Sequence, residues 1–146
     1  MDLQTFFPYR LALVSEAVSR SIAAVYAARF QLTRDEWRVL AALAGPGRMK
    51  TTEIAARTAL DKMQVSRAVT RMERDGLIER EHDAADRRNR ILRLLPAGRA
   101  LFKQVAPMAE ARERFLLAVL DERERAVLDS ALDKLQQRAA ELQEQG

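Results

Sequence analysis

The sequence contains no cysteine, a single histidine and few aromatic residues. Without cysteine, the chain has no disulfide, no thiolate metal site, no thiol nucleophile and no thiol-based redox sensor. The lone histidine, His82, argues against a histidine-rich metal site or a histidine-based catalytic triad within one chain. Paired carboxylates in a suggestive context and a glycine-rich phosphate loop are also missing from the sequence. We therefore expect no enzyme activity, no metal and no cofactor.

We also expect neither a signal peptide nor a membrane span. The N-terminus "MDLQTFFPYR" has neither a basic segment nor a long apolar run, so it does not resemble a signal peptide. No stretch approaches the roughly 20 apolar residues that span a bilayer. The simplest expectation is a cytoplasmic protein without a membrane partner.

Glycine (5) and proline (4) are scarce, whereas 48% of the 146 residues are hydrophobic, which favours a mostly helical chain with a real core. The net charge is +4 and is unevenly distributed. Residues 48–93 carry twelve Lys and Arg against eight Asp and Glu, whereas residues 108–146 carry six against nine. A basic central segment is compatible with nucleic-acid binding but does not establish it.

The N-terminal part of the chain contains two helical patterns. Thr33 and Glu36 form an S/T-x-x-E capping box for the second helix, which Gly45-Pro46-Gly47 ends. The first helix follows Pro8 and carries apolar residues at spacings of three and four, namely Leu11, Val14, Val18, Ile22 and Val25.

Two shorter helices and a hairpin follow. Thr51 is expected to cap the third helix, and Asp61 with Gln64 the fourth, which ends where Gly76 takes a left-handed conformation. The segments "LIERE" and "NRILRLL" then predict two strands joined by the polar "HDAADRR". Pro96 ends this hairpin and starts the first of two final helical segments. The predicted fold is mostly α, with six helices and one β-hairpin.

Two short helices followed by a basic hairpin are typical of a winged helix-turn-helix. Ile54-Ala55 provides the helix crossing, Ala59-Leu60 the turn, and Val65, Val69 and Met72 the buried stripe of the second helix. Glycine is usual where Ala59 stands. Because a left-handed alanine costs about 1 kcal/mol, a slightly different turn is expected here.

The opposite face of the fourth helix is polar, and its side chains are of the kind that bind phosphates and base edges. On an isolated helix, the simpler interpretation would be that these polar side chains only contact solvent. The hairpin, the turn spacing and the helix cap favour DNA contact instead. The predicted DNA-binding residues of this helix are Lys62, Gln64, Ser66, Arg67 and Arg71.

The chain resembles the MarR family of bacterial transcription regulators. The matching motifs are "EWRVL" on the second helix, "VSR" and "DGLIER" around the fourth, Asp86-x-Arg88 in the hairpin, and "L-x-x-G-R" opening the fifth helix. The element order matches over nearly the whole chain, and the match is strongest over residues 33–101. Pro96 stands where family members often carry Thr or Ser, and the lack of cysteine excludes the thiol-oxidation-sensing branch.

The resemblance implies one chain, residues 1–146, that acts as a homodimer. Residues 33–95 would form the winged helix-turn-helix lobe, and residues 1–32 with 96–146 the dimerisation region. Each recognition helix would enter a major groove and each wing a minor groove of double-stranded DNA. A two-fold dimer requires a pseudo-palindromic operator with half-sites about 10 base pairs apart.

The resemblance also assigns roles in the wing. Arg88 would enter the minor groove, with Asp86 as its orienting partner, while Arg87 and Arg90 would meet phosphates. An ordinary charged turn that only increases solubility is the alternative.

The family's effector site, between the dimer platform and the DNA lobe, suggests ligand-binding residues. Arg10 would hold the carboxylate of a small aromatic or phenolic acid, since arginine binds carboxylates bidentately. Ser15, Trp37 and Arg38 are further candidates. Alternatively, Arg10 reaches water or pairs with an acid, and Trp37 belongs to the core.

The predicted function is that of a ligand-responsive transcriptional regulator, a repressor released from its operator by an aromatic or phenolic acid. An architectural or constitutive DNA-binding dimer without an effector is the alternative, because residue spacing does not reveal a pocket.

Overall fold

The computed structural model describes residues 1–82, 84–85 and 90–146. Over these residues the chain forms six helices and three strands, which confirms the mostly helical winged helix-turn-helix architecture. Two compact units are present, Met1–Glu110 and Ala111–Gly146. The elements are α1 (Phe7–Phe30), α2 (Arg34–Ala44), β1 (Arg48–Lys50), α3 (Thr51–Thr58), α4 (Lys62–Arg74), β2 (Ile78–His82), β3 (Arg90–Leu94), α5 (Pro96–Leu117) and α6 (Glu122–Gln145).

The sheet contains one strand more than the predicted hairpin. Its order is β1-β3-β2, with both pairs antiparallel, and β2 and β3 are aligned from Ile78 opposite Leu94 to His82 opposite Arg90. The additional strand, β1, places buried Met49 opposite Leu92. Three residues are too few to display an alternating pattern, so the sequence did not reveal β1.

The predicted cap is complete at α4 and absent at α3. At α2 the predicted capping box is only half formed, because the Glu36 carboxylate accepts from Thr33 Oγ1 and not from the Thr33 amide. Asp61 and Gln64 form the reciprocal capping box of α4, at 2.7 and 2.9 Å. Thr33 Oγ1 accepts from the Glu36 amide at 3.1 Å. The prediction that Thr51 caps α3 was wrong. Lys50 occupies the cap position without a side-chain hydrogen bond, because the chain passes directly from β1 into the helix.

The core of the first unit lies between α2, α3, α4 and the sheet. Leu40, Leu43, Ile54, Met72 and Leu92 are fully buried there. The stripe predicted on α4 is confirmed, since Val65 and Val69 join Met72 in this core. This packing fixes the orientation of α4 and therefore determines which of its faces meets solvent.

Helix α1 is the most apolar of the six helices. Its N-terminal part nevertheless lies outside the core. Leu11, Val14 and Val18 are exposed, while Ile22 and Val25 pack against the core. By length and composition α1 would suffice to cross a bilayer, with a mean hydropathy of 1.3, so the expectation that no stretch approaches a span was wrong. Apolar helices that pack in soluble proteins meet the same criterion.

In the second unit, α6 follows a reciprocal capping box between Asp121 and Glu124. Every residue of α6 is described, and none is buried. Several large apolar side chains along it are exposed: Val127, Leu128, Leu132, Leu135 and Leu142.

Candidate nucleic-acid interface

The turn between α3 and α4 has the backbone conformation that normally calls for glycine. Ala59 adopts φ 58° and ψ 24°, in the left-handed region. The expectation of a different turn was therefore wrong, because buried Ile54 and Leu60 on either side hold the chain in this geometry. Gly76, which ends the α4 segment, has φ 74° as predicted.

The polar face of α4 is exposed, as the helical spacing predicts. Lys62, Ser66, Arg67 and Arg71 are all exposed and lie outside the buried stripe. Gln64 is half-buried because its amide oxygen accepts the Asp61 N–H in the helix cap. The Gln64 oxygen is thus committed to the helix start, which leaves the amide NH₂ group as the free donor.

The positively charged side chains of this face differ in whether they form an ion pair with a carboxylate of the protein. Among the described residues, neither Lys62 nor Arg67 pairs with a carboxylate, so both charges are available to an external anion. Arg71 Nη1 lies 3.4 Å from Glu36 Oε1. Glu36 is only 3% exposed, and its carboxylate also accepts from Thr33 Oγ1 at 3.1 Å.

Arg80 joins the wing to α4, a role that the sequence did not suggest. It lies on β2, and its Nη2 donates to Thr70 Oγ1 at 3.0 Å. Its Nε lies 3.5 Å from Glu73 Oε1. Arg80 belongs to the "DGLIER" motif, so the motif contained the relevant residue but did not indicate its partners.

Two arginines of the sheet, Arg48 and Arg93, form ion pairs with glutamates of the sheet. Arg93 pairs with Glu79 and, at 3.0 Å, with Glu81, which also binds Arg48 at 2.7 Å. The hydrogen bond that Arg93 donates to the Glu79 carboxylate, together with the negative charge of that carboxylate, raises the pKa of Arg93. These arginines bind carboxylates of the protein itself, which lowers the positive charge that the described part of the sheet offers to an external anion.

A groove of about 540 Å³ runs between α3, α4 and the strands of the wing. Lys62 and Ser66 of α4 and Arg90 of β3 line it together, so three of the predicted DNA-binding residues meet there. Arg80 adds a further cation. The predictions for Asp86, Arg87 and Arg88 lie outside the described residues.

Trp37 belongs to an aromatic stack. Its ring lies 5.5 Å from that of Tyr26 and 5.8 Å from that of Phe102, in stacked orientations. Trp37 and Arg38 also line a groove of about 600 Å³ beside α3. Arg38 Nη1 donates to the Thr58 carbonyl at 3.5 Å. Trp37 therefore packs on two aromatic rings and also borders a surface groove.

The four predicted effector-binding residues do not come together within one chain. Arg10 and Ser15 are exposed on α1. Arg10 is 16 residues before Tyr26, the residue of α1 that stacks on Trp37, which is about 24 Å along a helix. Arg10 is therefore remote from the groove that Trp37 and Arg38 line.

Glu16 connects α1 to α2 and was not predicted to have a role. Arg34 donates to both oxygens of its carboxylate, at 2.8 and 3.1 Å, and Arg20 donates at 2.9 Å. The hydrogen bond from Arg34, followed by that from Arg20, lowers the pKa of Glu16 to about 2. The α1–α2 junction is thus held by a charge cluster.

Three similarities to known proteins bear on this geometry. The sequence model of the MarR family matches residues 30–89. The homoprotocatechuate degradative operon repressor of Escherichia coli is 31% identical over 86 residues, covering 59% of this chain and 58% of that protein. The transcriptional regulator HosA of E. coli O157:H7 is 26% identical over 104 residues, covering 71% of this chain and 77% of HosA.

A solved structure is similar in its whole architecture. Bordetella bronchiseptica BpsR, whose structure concerns the regulation of its DNA binding by 6-hydroxynicotinic acid, superimposes with a TM-score of 0.82. The two sequences are 25% identical, and the match covers 93% of this chain and 96% of BpsR.

Proposed function

Because the chain belongs to the MarR family of winged helix-turn-helix transcriptional regulators, we propose that it represses transcription as a homodimer on a pseudo-palindromic operator. A small aromatic or phenolic acid releases it. The observation that carries the DNA-binding part is the exposed face of α4, where Lys62 and Arg67 have no carboxylate partner among the described residues. Cations of this kind exchange for counterions on the DNA backbone.

The DNA contact proposed for each side chain follows from the ion pairs that it does or does not form within the protein. Lys62 and Arg67 bind phosphates or guanine edges, while Arg71 is presented by the buried Glu36 carboxylate. Ser66 and Arg90 approach the backbone from the groove beside the wing. Of the predicted wing contacts, Asp86, Arg87 and Arg88 remain part of the proposal.

The dimer is supported by apolar surface that one chain leaves in water. On α1, Leu13 is 66% exposed and Val14 54%, and α6 carries a row of exposed leucines. Large apolar surfaces of this kind mark interfaces. Residues 1–32 with 96–146 form the dimerisation region, and residues 33–95 the DNA lobe.

The exposed apolar surface of α1 is explained better by a dimer interface than by insertion into a membrane. The charged residues Arg10, Glu16 and Arg20 interrupt its apolar surface, and charges inside a bilayer are costly. Glu16 is moreover bound by Arg34 from α2. Together with the regulatory relatives, this supports a cytoplasmic location.

The effector is an aromatic or phenolic acid, held by Arg10, Ser15, Trp37 and Arg38. About 24 Å of helix separates Arg10 from the Trp37 stack within one chain. One site that holds all four residues therefore requires α1 of the second copy. The names of the relatives support this class of ligand, since one represses a homoprotocatechuate operon and another responds to 6-hydroxynicotinic acid.

The effector would release the dimer from its operator by changing the distance between the two recognition helices. The two recognition helices must lie about 34 Å apart to enter successive major grooves. An effector that favours another spacing lowers operator affinity. Shifting occupancy from 99% to 1% takes about 5.5 kcal/mol of differential affinity, which two identical sites can share.

A titration tests the proposal. The purified chain, bound to an operator selected from a random-sequence duplex library, is titrated with homoprotocatechuate and with 6-hydroxynicotinic acid, with benzoate and phenylacetate as further probes. Release by one of these acids supports the ligand-responsive repressor. Stable binding in the presence of all of them supports a constitutive DNA-binding dimer instead.

A further inference from the structure

Met63 is an exposed apolar residue at the start of α4. It is 67% exposed. Within the described part of the lobe of residues 33–95, it is the only large hydrophobic side chain that is exposed. The other exposed large apolar residues lie on the N-terminal segment, α1, α5, α6 and the turn between α5 and α6, all within the proposed dimerisation region.

The position of Met63 on α4 follows from the helix geometry. Met63 and the fully buried Met72 are nine residues apart, which is two and a half turns of an α-helix, so they lie on opposite faces. Arg67, one turn further along, shares the face of Met63. Met63 therefore stands in the middle of the surface that the protein would present to DNA.

The first turn of α4 holds Met63 in place. Asp61 and Gln64 bracket it with the two hydrogen bonds of the capping box. The N-terminal residues of a recognition helix are the ones that meet base edges in the major groove. Met63 thus occupies a base-reading position on a turn that is already ordered.

The surroundings of Met63 define its ligand. Its neighbours Lys62, Ser66 and Arg67 are polar, and in the described part of the lobe no second exposed large apolar side chain joins Met63 to form a patch for a protein or a lipid surface. The one apolar group on a base edge in the major groove is the C5-methyl of thymine. We propose that Met63 is a specificity-determining residue that packs on a thymine methyl, at one symmetric position in each operator half-site.

This proposal rests on the proposed DNA-binding function, and one experiment separates the two. The operator is selected from a random-sequence duplex library with the full chain, and each thymine is then replaced by deoxyuracil, which removes only the methyl. We expect about fourfold weaker binding for one thymine position in a half-site, and about fifteenfold when both half-sites are changed. Met63→Ala should bind the thymine and deoxyuracil operators equally.

Arg67→Ala serves as the control for the DNA-binding face. If it weakens operator binding while deoxyuracil has no effect at any thymine, or if Met63→Ala retains the full deoxyuracil effect, the role of Met63 is overturned and the DNA face stands. If no duplex is enriched, or if Arg67→Ala binds like the wild type, the proposed DNA face fails and the role of Met63 fails with it.

Discussion

Glu36 and Arg71 form an ion pair that joins α2 to α4 across 35 residues of sequence. The carboxylate side chain is 4% exposed and the arginine side chain 56% exposed, with Nη1 and Oε1 3.4 Å apart. One partner is thus fixed in the core, and the other extends to the face proposed to meet DNA. Because the buried Glu36 carboxylate accepts a hydrogen bond from Thr33 Oγ1, it is held in place and presents Arg71 from a rigid support.

Glu36→Gln should weaken operator binding, because Arg71 loses the charge that orients it. The loss should not add to that of Arg71→Ala, and the coupling should be about 0.5–3 kcal/mol, as for residues in direct contact. Operator Kd values of the wild type, both single variants and the double variant form the cycle. Fully additive effects would show that Glu36 does not act through Arg71.

Arg67→Ala should weaken operator binding without changing the dimer. Each lost phosphate contact reduces the slope of log K against log salt by about 0.9, so a dimer should lose about 1.8. Fluorescence anisotropy at several salt concentrations measures this, and sedimentation checks the oligomeric state. Arg123→Ala, which removes an exposed cation from α6, is the matched control and should leave the slope unchanged.

Ala59→Gly should stabilise the protein by up to about 1 kcal/mol. The substitution relieves a left-handed alanine with φ 58°, although the more flexible unfolded chain offsets part of the gain. Ala56→Gly, three residues earlier within α3, should instead destabilise by about 0.5–1 kcal/mol. Urea denaturation compares the two, and equal losses of stability would contradict the strain assigned to Ala59.

Acid should weaken the α1–α2 junction. The pKa of Glu16 is lowered from its ordinary 4.5 to about 2, chiefly by the hydrogen bond from Arg34. The stability that its carboxylate contributes is therefore present above pH 4.5 and is lost as the pH falls towards 2.

Glu16→Gln tests this dependence. The stability difference between wild type and variant should shrink between pH 4.5 and 2, as followed by denaturation at each pH. A titration of the Glu16 carboxyl by NMR with a midpoint near 4.5 would contradict the cluster.

Arg10→Ala should leave operator affinity nearly unchanged and abolish release by the effector. Arg10 is exposed on α1, outside the DNA lobe, so its loss should not disturb α4. Operator binding with and without the releasing acid measures both properties. Normal release of the variant would remove Arg10 from the effector site.

The sequence predicted the local features of this fold well. The capping box of Asp61 and Gln64, the left-handed Gly76 and the buried face of α4 all follow from rules that act within a few residues. Strand β1 was missed because it is short and pairs with a strand about 40 residues later. The left-handed Ala59 was missed because burial on both sides of the turn outweighs a local preference.

The candidate site was less predictable for a related reason. Spacing on α4 identified its exposed face but not the partners of each side chain. The pairing of Arg71 with Glu36 and that of Arg80 with Thr70 depend on how separate elements of the fold pack against each other. Met63 was not among the predicted DNA-binding residues, because the sequence pattern singled out only the polar side chains of the exposed face.

The most direct test of a two-fold operator-binding regulator is the affinity for the selected operator as the distance between its half-sites is changed. The proposed dimer requires both half-sites on one face of the DNA. Insertion of about five base pairs, half a helical turn, should therefore abolish high-affinity binding, and insertion of a full turn should restore part of it at most. Equal affinity for all three spacings would contradict a dimer that docks two α4 helices at a fixed distance.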